Sequence, residues 1–136
     1  MFYGQDRASM RQVFFDVWRR CKHAPSALTA LERQIAEVIQ DHPEFHGFFC
    51  GQETWKEEDQ QQLFMQLGLH LAVRDQIQLN KPRGVQQIFQ QLCWRGYTSM
   101  DAEHQIMACL SQVMWEAQQQ GRALSEQDYE DLLKKL

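Results

Sequence analysis

The chain has only three prolines and seven glycines in 136 residues. So few turn-formers exclude a turn-dense β-sandwich and favour long helices. Strand-like alternation of polar and apolar residues is missing too, as are internal repeats. The 21 glutamines are interspersed with apolar positions, so they form no low-complexity tract. Apolar runs stop after a few residues, which excludes a membrane-spanning helix of about 20 residues. The opening MFYGQDRASMRQ has no apolar h-region, so no secretory signal is expected. Positive charge is not in excess: 14 basic against 18 acidic side chains leave a net charge of -4 and a pI near 5.7. The basic residues are dispersed, with close pairs only at Arg19-Arg20 and Lys134-Lys135. Without a basic stripe for phosphates or a basic amphipathic helix, neither nucleic acid nor a membrane is an expected partner. Cys21, Cys50, Cys93 and Cys109 form no CxxC. They read as small buried hydrophobes or free thiols of a cytoplasmic protein. Nucleophile elbow, Walker loop, dinucleotide fingerprint, HExxH and EF-hand loop are all absent, which disfavours the common hydrolytic and nucleotide-dependent enzymes.

What is present is helical periodicity from end to end. Hydrophobic residues make up 43% and charged residues 24%, ordinary usage for a globular chain. The expectation is one all-α domain over residues 1–136, a compact bundle of five to six helices. Met10, Val13, Phe14, Val17, Trp18 and Cys21 draw one stripe from about Asp6 to Lys22. A second helix carries Leu28, Leu31, Ile35, Val38 and Ile39. It starts at Thr29, which has a capping-box partner in Glu32, or at Ser26. Pro43 ends it and opens a short turn over residues 43–49. A long helix over residues 59–79 contains Gly68, which suits a close helix–helix approach. A fourth helix opens at Val85, Thr98 or Ser99 caps a fifth, and Ser125 starts a C-terminal one. The expected core comprises Phe14, Val17, Trp18, Leu31, Ile35, Leu67, Leu71, Phe89, Leu92, Leu110 and Met114.

Two functional readings from different classes follow. The first is a soluble, non-enzymatic interaction protein. The aromatics Phe45, Phe48, Phe49 and Trp55 flank a loop and suit a groove for an unidentified protein partner or a self-association patch. The alternative is that they cover the end of the bundle. The second reading is a transition-metal site, zinc or iron, inside the bundle. His70 lies seven residues after Leu63 and seven before Ile77, so it shares their apolar stripe. Glu103 falls on the stripe of Met107, Leu110 and Met114, with His104 on its flank. His42 and His46 sit at the break after the second helix. The proposed ligands are His70, Glu103 or His104, and one of His42 and His46. Glu103 and His104 are adjacent and point about 100° apart, and no Glu-x-x-His pair is present. The structural counterpart is a buried histidine satisfied within the core, with Glu103 paired to His70 or Arg74.

The residues also resemble those of an uncharacterised bacterial family, domain of unknown function 1841. The carriers are Phe2-Tyr3-Gly4-Gln5-Asp6-Arg7, His42-Pro43-Glu44-Phe45-His46 and the run Gly68-Leu69-His70-Leu71-Ala72-Val73-Arg74-Asp75-Gln76. Ala102-Glu103-His104 with Met107 and Leu110, then Trp115-Glu116-Ala117-Gln118 and Asp128-Tyr129, complete them. The resemblance covers nearly the whole chain. It implies a helical fold and a cytosolic setting but no activity. The family pattern carries a His one turn before the position of His70; here Gln66 stands in its place.

Overall fold

The computed structural model describes residues 7–136. Phe2, Tyr3 and the expected Asp6 start of the first helix lie outside the described residues. Within them are seven α-helices, two 3-10 turns and no strand. The helices are α1 (Arg7–His23), α2 (Ala30–Gln40), α3 (His46–Phe49), α4 (Glu57–Leu79), α5 (Val85–Trp94), α6 (Ser99–Gln119) and α7 (Glu126–Lys134). The 3-10 turns are Pro25–Ala27 and Pro43–Phe45. The all-α expectation holds, and the count is seven where periodicity gave five to six. The difference is α3: four residues are too few to show a period, so the sequence marks only a turn there. No helix among the described residues is long and apolar enough to cross a membrane.

The chain divides into two compact units, residues 1–67 and 68–136, and the division falls inside α4. In the first unit α1 packs on α2. Thr29, not Ser26, caps α2. Its hydroxyl accepts the Glu32 N–H at 3.2 Å, and the Glu32 carboxylate accepts the Thr29 N–H at 2.9 Å. That backbone bond, with Arg20 beside it, holds the Glu32 carboxyl below its ordinary range. Phe14, Val17, Ile35, Val38 and Ile39 are buried as the core of this unit.

In the second unit α6 packs on both α5 and α7, which also touch each other. Thr98 caps α6 by accepting the Asp101 N–H at 3.0 Å, and Ser125 caps α7 by accepting the Asp128 N–H at 3.2 Å. The turn before α5 needs special backbone: Asn80 (φ 53) and Gly84 (φ 99) are both left-handed. The Asn80 Oδ1 accepts N–H bonds from Gly84 and Gln86 at 3.1 and 3.2 Å, so it caps α5 from four residues upstream. Val73, Val85, Leu92, Ile106, Val113 and Leu133 pack into one cluster.

Two expectations change. Met114 is 42% exposed. Met114 lies one turn beyond the buried Leu110 and two beyond the buried Met107, on their side of α6, so the period places it inside, but that side is uncovered at this end of the helix. Leu31, Leu71 and Phe89 are half-buried. Among the described residues Gly68 makes no close helix contact either, because a Cβ added there meets nothing within 4 Å. Its only effect is to weaken the helix. Gly68→Ala is therefore expected to stabilise the protein by roughly 0.5–1 kcal/mol. Urea unfolding midpoints of the two proteins check this, and a destabilised variant would mean that the site is crowded after all.

Candidate functional site

The most unusual polar arrangement belongs to the second unit. His70, on α4, is 0% exposed. An imidazole withdrawn from water in this way must be hydrogen-bonded. Its Nε2–H donates to the Glu103 Oε1 at 2.6 Å, short for an N–H···O bond, and the Glu103 side chain is only 13% exposed. The ring of His104 meets that of His70 edge-on, with centroids 5.1 Å apart. A ring nitrogen of His70 and one of His104 lie within 4.8 Å. Glu103 and His104 are neighbours on α6, and both meet the His70 imidazole, Glu103 by its hydrogen bond and His104 by a ring edge. Of the two partners expected for Glu103, His70 is the one bonded to it.

His42 and His46 belong to the first unit. His42 is buried; its Nδ1–H donates to the Glu44 Oε2 at 3.3 Å and its ring stacks on Phe45 at 5.1 Å. The His46 Nε2–H donates to the Ile39 carbonyl at 2.9 Å, and the ring rests against Trp18 at 4.8 Å. That bond fixes the proton on the His46 Nε2, so this nitrogen serves the turn after α2.

The aromatic set proposed as a partner surface is placed inward. Phe45, Phe48 and Phe49 are each 8% exposed, and Trp55 is half-buried. Phe48 meets Phe15 at 5.3 Å, Trp55 at 5.9 Å and Phe64 at 6.0 Å, and Phe45 meets Trp55 edge-on at 5.8 Å. The 3-10 turn and α3 wind these rings onto α1 and the start of α4. Most of their apolar area is covered within the unit.

The exposed aromatics lie elsewhere. Trp94, the last residue of α5, is 92% exposed, and Trp115 on α6 is 61% exposed. Residue type alone does not separate them from Trp18, which the apolar stripe of α1 placed inside. A weak signal exists for Trp94, which sits beside Arg95 and Gly96 at a helix end. Arg95 lies over the Tyr97 ring at 5.7 Å and donates to the Leu136 carbonyl at 2.5 Å.

Two potential nucleophiles of this unit are poorly prepared. Burial pushes the Cys109 thiol up. The Tyr129 phenol is raised well beyond its ordinary range, by burial first and by Cys109 second. Its O–H donates to the Gln76 Oε1 at 2.6 Å, a bond that ties α7 to α4 within the second unit.

A family model described as "Domain of unknown function" matches residues 6–135. No curated protein and no solved structure matches the chain.

Proposed function

Because the chain belongs to the DUF1841 family, with residues 6–135 matching a domain of unknown function, its role must be read from its own residues, and we propose a cytoplasmic, non-enzymatic protein-interaction module. The observation that carries the reading is Trp94, 92% exposed at the end of α5. Burying an indole of 150–250 Å² is worth about 3 kcal/mol or more. The fold forgoes that gain at Trp94, while it buries nearly all of Trp18. Tryptophan and arginine are the side chains richest in binding energy at protein interfaces, and Trp94 is followed by Arg95, which is already ordered over Tyr97.

Trp94→Ala tests this. Its stability is expected to stay within about 0.5 kcal/mol of the parent, as for other exposed sites. Capture of the protein's partner, or of a second copy of the chain, is expected to weaken by tenfold or more. Cross-linking in the producing cell followed by identification of the captured chains gives the partner, and sedimentation across a concentration range reads self-association. Equal capture by parent and variant overturns the reading.

A further inference from the structure

We infer that Lys22 and Cys50 form an oxidant-driven covalent pair, a reversible sulfur–nitrogen link between the end of α1 and the end of α3. Lys22 lies in the last turn of α1, and Cys50 is the C-terminal cap of α3. Both belong to the first unit. The Lys22 Nζ–H donates to the Cys50 Sγ at 3.6 Å, across 28 residues of sequence. Further contacts hold the pair in place. The Lys22 ammonium rests 4.7 Å from the centre of the Trp18 ring. That ring, one turn earlier on α1, packs on His46 at 4.8 Å and Phe49 at 6.5 Å, so α1 and α3 meet through a buried indole. Cys50 is also the thiol most open to dissolved reagents. It is exposed, whereas Cys21 and Cys93 are half-buried and Cys109 is buried. Burial pushes the Cys21 and Cys109 thiols up, which leaves them less thiolate to oxidise.

The chemistry runs in two steps, with hydrogen peroxide as the oxidant. The Cys50 sulfur attacks one peroxide oxygen: an S–O bond forms, the O–O bond breaks, and water leaves. Sulfur is oxidised to a sulfenic acid and the peroxide is reduced. The Lys22 ammonium then gives one proton to solvent, and its nitrogen lone pair attacks the sulfur. The N–S bond forms and the S–O bond breaks. The departing hydroxide takes a second proton from the nitrogen and leaves as water. The product is a sulfenamide, and this condensation needs no further oxidant. Backbone nitrogen traps cysteine sulfenic acids in the same way; here the nitrogen already touching the sulfur is that of Lys22. Closing the gap takes only rotations along the flexible lysine stem. An added thiol attacks the sulfur and releases the amine, so the link is reversible. Once formed, it closes a loop around α2 and ties α1 to α3, so peroxide tightens this unit.

The test treats the full chain with a small excess of hydrogen peroxide, digests it with trypsin in the absence of reductant and reads the peptides by mass spectrometry. The expected product has lost two hydrogens and one free thiol. Its Lys22 and Cys50 peptides are joined, and trypsin no longer cuts after Lys22. Dithiothreitol restores the starting mass. The joined peptides are lost in Cys50→Ser and in Lys22→Arg, which keeps the positive charge but replaces the amine with a guanidinium that stays protonated. Both positions are exposed, and circular dichroism confirms that the variants are folded. A parent Cys50 that stays reduced, stops at sulfinic acid or forms a disulfide instead overturns the inference, and so do joined peptides in Lys22→Arg.

Discussion

Replacing His70 with leucine is expected to destabilise the protein by about 3 kcal/mol. The substitution keeps apolar volume, so the loss does not come from a cavity. It comes from Glu103, whose carboxylate is held at 2.6 Å by the His70 Nε2–H in a site with 13% exposure. Removing one partner of a buried pair leaves the other desolvated and costs roughly 3–5 kcal/mol. The remaining access to water at Glu103 puts the expected value at the low end. The double variant His70→Leu/Glu103→Leu is expected to regain most of the loss, because two packed apolar side chains replace the pair without a stranded charge. Urea unfolding of the parent, both single variants and the double variant closes the cycle. A single His70→Leu variant as stable as the parent would mean that the pair contributes nothing to the fold.

Phe48→Ala is the second large effect, an expected loss of about 3–4 kcal/mol. The ring is 8% exposed and contacts Phe15, Phe49, Trp55 and Phe64 at centroid distances of 5.3, 5.4, 5.9 and 6.0 Å. Truncation removes the transfer free energy of the ring and opens a cavity that four rigid neighbours cannot fill. An interface ring behaves differently: its loss costs binding and leaves stability within about 0.5 kcal/mol. Thermal or urea unfolding of Phe48→Ala therefore separates the two roles. A stable variant would return Phe48 to the surface.

Local chemistry made much of this fold legible. Thr29, Thr98 and Ser125 cap their helices as the spacing to Glu32, Asp101 and Asp128 requires. His70 could be placed inside because two turns separate it from Leu63 and Ile77. What failed depended on contacts between distant segments. Helical period cannot tell how far along α6 its stripe stays covered, hence the exposed Met114. Composition cannot tell that Phe45 and Phe48 turn inward while Trp94 turns out, because burial follows from what packs nearby. The candidate site was half legible. The phase of Glu103 and His104 on one helix was readable, and their meeting on one imidazole from another helix was not.

The uneven placement of the four tryptophans also makes the chain its own optical reporter. Trp18 and Trp55 belong to the first unit, and Trp94 and Trp115 to the second. Trp18 is enclosed, with its ring against His46 and the Lys22 ammonium 4.7 Å from its centroid, whereas Trp94 stands almost wholly in water. Their emission differs accordingly: the sheltered indole fluoresces to the blue and is shielded from iodide, and the hydrated one fluoresces to the red and is quenched by it. With phenylalanine at the other three positions, one remaining indole at a time follows the melting of its own unit. At Trp94 it also registers the arrival of whatever covers that ring, without any attached dye.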